Sequence, residues 1–223
     1  MKSAIFQRFL QAIALYSLMI SASAHSAQTD ENRYEVELFI FQSFARSAWL
    51  EEFWPAEIVP VNLENSVSPF TSDTAPMDIQ TVETQLNQIA ARLKQSGYQI
   101  LVHQAWQQTP VSRRSTQTIR LEAGDSNTLL SGTFQFAKGR YEHIHLDLEF
   151  DRTIPQAVLE EFARKQGIDD LNLMPVSWKF KLDEHRKVRA DELHYFDHPL
   201  FGAIVQIRKI EASNPNTAIG TNR

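Results

Sequence analysis

No cysteine occurs among the 223 residues. That absence excludes disulfides, zinc-thiolate sites, thiol nucleophiles and iron–sulfur clusters, and with them the acylated cysteine of a bacterial lipoprotein. Glycine is scarce at seven residues, which excludes collagen-like and glycine-rich repeats. Positive charge is in the minority: 22 lysines and arginines stand against 27 aspartates and glutamates, a formal net charge of -5. Whole-molecule attraction to nucleic acid is therefore not expected. Several catalytic signatures are also missing: no G-x-S-x-G elbow, no S-x-x-K pair, no H-E-x-x-H helix and no glycine-rich phosphate loop.

What is present begins with an export address. Residues 1–24 place Lys2 and Arg8 ahead of or at the start of an apolar stretch, residues 9–20, followed by Ala22-Ser23-Ala24. Basic, then apolar, then small-x-small is the order of a secretory signal peptide cleaved after Ala24. The stretch of 12 residues is too short for a spanning helix, which needs about 20. Cleavage leaves 199 residues and, by removing two bases and no acids, moves the net charge from -5 to -7. No later run is long enough to span a bilayer, so the expected product is a soluble, disulfide-free periplasmic protein that relies on its core.

Residues 33–42 (RYEVELFIFQ) read as a strand with Tyr34, Val36, Leu38 and Ile40 on one face and Glu35, Glu37, Phe39 and Phe41 on the other. A helical turn or two carrying Trp49 and Trp54 follows, stopped by Pro55, and then an irregular loop over residues 55–76 with four prolines. The spacing of Ile79, Val82, Leu86, Ile89 and Leu93 predicts a helix over 78–96 with Gly97 as its left-handed cap. A strand over 98–106 follows, and a one-helix crossover would place it parallel to the first. Strands are expected over 115–122, 129–138 and 141–150, the last two joined by a tight hairpin at Lys138-Gly139-Arg140. A shorter helix over 155–166 precedes strands over 176–182, 188–195 and 200–210. The fold class is thus α+β, a mostly antiparallel sheet with two packed helices in a single domain over 33–211, flanked by a flexible segment over 25–32 and a disordered tail over 212–223.

Three constellations could carry chemistry. His143, His145 and Asp147 alternate along one strand and would project to one side, as two imidazoles and a carboxylate around zinc would require. The competing reading is the solvated face of an antiparallel sheet. Glu192, His194, Asp197 and His198 fall within DELHYFDHP, where proline and the flanking apolar residues indicate a strand running into a turn. Arg113, Arg114, Arg120, Lys138, Arg140, Arg186, Lys187 and Arg189 are scattered bases that suit carboxylates, arginine by its forked geometry. The tryptophans Trp49, Trp54, Trp106 and Trp178 offer rings for sugars, but three of the four lie on apolar patterns and read as core.

The string ELHYFDHPLFGAIVQI over 192–207 resembles the closing signature of the CsiV family of periplasmic peptidoglycan-binding proteins. YEVELFIFQ and GYQILVHQAWQQ (97–108) resemble that family's first strand and the strand after its first helix. FKLDEHRKVRADELHYFDHP (180–199) fits its basic stretch, although His185 and Lys187-Val188 depart from the family's Arg-Arg-Met pattern. The resemblance implies a non-enzymatic protein of the periplasm that binds peptidoglycan and supports wall synthesis. Its implied partner is an outer-membrane lipoprotein that activates a class A penicillin-binding protein. No cofactor and no catalytic residue are implied. Arg186 and Arg189 are the candidates to bind carboxylates, Tyr195 to meet a sugar face, and His194 and Asp197 to hydrogen-bond. Two alternatives remain open: a metal-dependent amidase or peptidase using His143, His145 and Asp147, and an adaptor docking a protein partner through the 55–76 loop with Trp49 and Trp54.

Overall fold

The computed structural model describes residues 32–68, 70 and 78–211. The signal peptide, most of the 25–32 segment, the 212–223 tail and much of the proline-bearing loop after residue 68 lie outside these residues. Within them are eleven strands and three α-helices. The first sheet runs in the order β10 (Leu193–His198), β11 (Phe201–Lys209), β1 (Tyr34–Gln42), β4 (Gln99–Gln108), β3 (Gln80–Val82). The second runs β2 (Ser66–Val67), β6 (Thr118–Gly124), β7 (Thr128–Lys138), β8 (Glu142–Thr153), β9 (Ser177–Val188), with β5 (Val111–Ser112) joining the end of β7. All pairings are antiparallel except the two short ones, β2 with β6 and β5 with β7.

The antiparallel α+β reading therefore holds, with one change: there are two sheets rather than one, and they bury each other. β1 supplies Val36, Leu38 and Ile40 to a core whose other wall is Phe134, Leu146 and Phe150, all fully buried. Tyr34 meets Phe136 edge-on at 5.2 Å, and Trp106 meets Phe134 at the same centroid separation. Such T-shaped ring pairs add to the area they bury. Helices α1 (Arg46–Leu50) and α3 (Leu159–Lys165) close one end of this core, where Trp49 contacts Phe162 and Phe180 at 5.3 Å each.

Two expectations fail for identifiable reasons. The helix predicted over 78–96 is only α2 (Asn87–Gln95); its first third is instead strand β3, an edge strand against Ala105–Gln107 of β4. The β-branched Thr81 and Val82 suit a pleated edge. The carboxylate of Glu37 accepts from the backbone N–H of Gln85 and Leu86, which sets the helix start there. The helix ends as predicted: Gly97 has φ +87, Tyr98 N–H reaches Leu93 C=O and Gly97 N–H reaches Lys94 C=O, the paired bonds of a glycine-terminated helix. Second, β4 is antiparallel to β1, not parallel. The chain between them adds β3 as well as α2, so no one-helix crossover dictates direction.

Candidate functional site

Two outward faces compete for the role of binding surface. On the first sheet, β1 presents Glu35, Glu37, Phe39 and Phe41 away from the core, in register with Arg208, Gln206, Ile204 and Gly202 of β11. Glu37 has no solvent exposure, yet it is fully partnered: two backbone amides, His103 Nε2 at 2.9 Å and Arg208 at 3.1 Å. Burial by itself would raise its pKa. The bonds from His103, from the Leu86 and Gln85 amides and from Arg208 outweigh that and hold it below the usual glutamate value.

The DELHYFDHP segment lies on the same sheet and turns out to be structural in large part. Tyr195 lies parallel to Phe41 with ring centroids 6.2 Å apart, and its hydroxyl donates to Asp197 at 2.7 Å. Burial first, then the Asp197 carboxylate, raises the Tyr195 phenol well above its ordinary pKa. Gly202 is the residue that permits this arrangement. A Cβ there would stand 3.0 Å from the Phe196 carbonyl oxygen, 3.0 Å from Phe41 Cζ and 3.3 Å from Tyr195 Cε2. The tyrosine ring thus covers a glycine on the neighbouring strand, a known device for holding register.

The five candidates Arg186, Arg189, His194, Tyr195 and Asp197 share one hairpin but not one site. Strand alternation sends Tyr195 and Asp197 outward and His194 to the opposite side. His194 Nε2 lies 3.1 Å from the Arg189 backbone nitrogen and 3.0 Å from its carbonyl oxygen, so it ties the turn together. Arg186 donates to the Tyr195 carbonyl at 2.5 Å, pairs with Glu184 and lies 4.8 Å from the Phe196 ring. Arg189 is exposed, with Glu192 at 3.5 Å. Trp49, Trp54, Trp106 and Trp178 are all buried, so none is a free sugar platform, and Trp49 and Trp54 are not the open docking surface expected of an adaptor.

The second sheet's outward face differs. β8 alternates as expected, with Ile144, Leu146, Leu148 and Phe150 inward and His143, His145, Asp147 and Glu149 outward. The three alternative metal ligands share that face but each has another partner. His143 stacks on His185 at 5.0 Å, His145 Nε2 meets Asp183 at 2.7 Å, and Asp147 pairs with Lys181. Among the described residues no group of three or more His, Asp or Glu is gathered as metal ligands.

At one end of this face the scattered bases converge. The rungs Ala137, His143 and Lys187, together with Ser112 beside Lys138, bring β5, the 138–142 hairpin and the end of β9 together. The Arg113 side chain lies over Gly139, its Cδ 3.2 Å from where a Cβ would stand. Lys187 Nζ sits 3.2 Å from the Tyr141 ring centroid and Arg140 5.4 Å from it, both within cation–π range. Tyr141 is 42% exposed. Lys138 is turned inward to Tyr34 and Glu142 and does not contribute. His143 is held below its ordinary pKa, by burial first and then by the charges of Arg113, His185 and Lys187. Arg113, Arg140 and Lys187 have no carboxylate in ion-pair contact among the described residues. The patch is therefore cationic, aromatic and uncompensated, which suits carboxylates.

The profile of the family described as "Peptidoglycan-binding protein, CsiV" matches residues 10–210. The chain belongs to that family. No curated protein and no solved structure matches it. Membership makes peptidoglycan the ligand class against which the CsiV-family chain's surfaces are to be read, and among the described residues no helix is long and apolar enough to cross a membrane. The sequence offers Arg113, Arg140 and Lys187 without their meeting point and puts Tyr141 on the face of His143 and His145, but gives no sign of His185 and Lys187 across the ladder. The legible signal is the equal parity of Tyr141, just before β8, with His143 and His145; the register with β9 is not legible.

Proposed function

We propose that this protein is a non-enzymatic peptidoglycan-binding protein of the periplasm, exported by cleavage after Ala24, that holds the wall through the cationic end of its second sheet. The observation that carries the reading is the convergence of Arg113, Arg140 and Lys187 around exposed Tyr141, with no carboxylate to neutralise them. Uncompensated guanidinium and ammonium groups fit the carboxylates of stem peptides. This moves the wall contact from Arg186, Tyr195 and Asp197, which serve the fold, and keeps Arg189 as an exposed base in the turn after β9. In this reading the protein supports wall synthesis together with an outer-membrane lipoprotein activator of a class A penicillin-binding protein.

Co-sedimentation with purified sacculi tests the proposal. The wild-type protein is expected in the pellet, with retention falling as salt rises. The triple substitution Arg113→Ala, Arg140→Ala, Lys187→Ala is expected to weaken retention by about tenfold or more, the equivalent of about 1.4 kcal/mol. Wild-type protein that stays in the supernatant at low salt would sink the idea.

A further inference from the structure

A groove of about 490 Å³ runs beside β9, bordered by Lys179 to Glu184 on one side and the segment after α1 on the other. Successive residues of a strand point to opposite faces, so a run of six consecutive residues can border a groove only edge-on. β9 is the last strand of its sheet, and along Lys179 to Glu184 this edge has no ladder partner among the described residues. The facing wall carries Phe53, 66% exposed, and Ile58; Asp197 and His198 also line the groove.

The groove carries an excess of acids, unlike the cationic patch: Glu52, Asp183, Glu184 and Asp197 against Lys179 and Lys181, and both lysines are already paired. Lys179 pairs with Glu149, Lys181 with Asp147, Asp183 with His145 and Glu184 with Arg186, while Asp197 accepts the Tyr195 hydroxyl. No cation is left to attract a carboxylate. Lone pairs remain on Asp183, which uses one oxygen in the contact named. His198 supplies a donor. Its Nδ1 accepts the Leu200 N–H at 3.2 Å, which puts the ring proton on Nε2, where the described residues offer no acceptor. Trp54 and Phe201 hold the ring at 5.0 and 4.6 Å. Burial lowers its pKa to about 4, so it stays neutral near pH 7.

Acceptors, a neutral donor and an exposed aromatic face are what a neutral N-acetylated sugar requires, and the excess of acids in the lining disfavours a carboxylate ligand. Resting on the peptidoglycan reading above, we infer that this groove takes the glycan backbone of the wall, while the cationic patch takes its anionic peptides. Sugar hydroxyls donate to Asp183, an acetamido carbonyl accepts from His198, and a sugar ring face lies on Phe53. Both surfaces are built on β9: Asp183 and Lys187 are four residues apart, about 13 Å along a strand. One bound wall segment can therefore engage the two together.

The test uses the purified protein and two probes, intact sacculi and glycan strands stripped of their peptides by an amidase, with the lactyl carboxylates so freed converted to amides, followed by 15N NMR and affinity measurement. Stripped strands are expected to bind and to shift the amides of residues 179–184 and 53–58. Phe53→Ala, at an exposed position, is expected to weaken stripped-strand binding about tenfold, whereas Arg113→Ala, Arg140→Ala, Lys187→Ala leaves it unchanged. Stripped strands that do not bind, or bind Phe53→Ala equally well, overturn the glycan groove while retention on intact sacculi leaves the peptidoglycan reading standing. Loss of sacculus binding as well overturns both. An extended peptide that shifts the β9 amides where stripped glycan does not would make the edge a strand-addition site and also overturn the inference.

Discussion

The outward face of the first sheet and the outward face of the second are both rich in titratable side chains, but they use them differently. On the first, Glu37 bonds His103, Arg208 and the amides before α2, and Tyr195 separately bonds Asp197, so their polarity holds strands and helix in place. On the second, cross-strand pairs such as His145 with Asp183 stand in solvent, and at the hairpin end the bases have no acid in ion-pair contact among the described residues. A dense cluster of His, Asp and Tyr in the sequence thus marked the fold, while bases dispersed over 75 residues between Arg113 and Lys187 came together as a surface. Density along the chain is a poor guide to function when a closing strand needs polar side chains to fix its register.

Substitutions that separate the two faces test this contrast. The largest effect is expected from Glu37→Ala, which strands the Gln85 and Leu86 amides and His103, while Arg208 keeps Glu35, and should cost about 3 kcal/mol of unfolding free energy. Asp183→Ala, its counterpart on the exposed face, should cost about 0.5 kcal/mol or less. Chemical denaturation measures both, and equal losses would break the comparison. Next, Gly202→Ala introduces a Cβ at 3.0 Å from a backbone oxygen and from the Phe41 ring and should destabilise by about 1–3 kcal/mol. At Gly139 the nearest neighbour is the flexible Arg113 side chain, so Gly139→Ala should leave stability nearly unchanged and instead displace that arginine, lowering sacculus retention.

Acid should act on the same distinction. The folded-state pKa of His198, about 4, lies below its ordinary 6.5, so between these values the unfolded chain binds the proton and the folded one does not. Its contribution is fully present above pH 6.5 and is lost as pH falls toward 4. Glu37, whose pKa is also depressed, adds a loss below pH 4.5. Thermal midpoints should therefore fall as pH drops from 6.5, and His198→Phe should flatten that first segment of the profile. The smallest stability effect is expected for Lys187→Ala, within about 0.5 kcal/mol, with a salt-sensitive drop in wall binding as its only clear consequence.

Much of the fold was legible because periodicity is local. The β8 alternation, the α2 and α3 glycine stops and the 138–142 hairpin depend on residues near one another in the chain, and each is found where the pattern predicts. The helix over 78–96 was over-extended because Ile79 and Val82 keep helical spacing while packing as an edge strand would. What cut it short was Glu37, some fifty residues earlier. The metal reading of His143, His145 and Asp147 was correct about their shared side and blind to His185, Asp183 and Lys181 across the β8–β9 ladder.

The sequence by itself determined the strand-rich composition of the domain, which side of each long strand enters the core, the absence of thiol chemistry and the family, because these follow from residue identity and short-range alternation. Only the tertiary structure decided that two sheets rather than one enclose the core and that the DELHYFDHP cluster serves register. It alone brought Arg113, Tyr141 and Lys187 to one place. Strand pairing joins residues remote in the chain through backbone hydrogen bonds that any side chain permits, so register leaves little trace in the order of the residues.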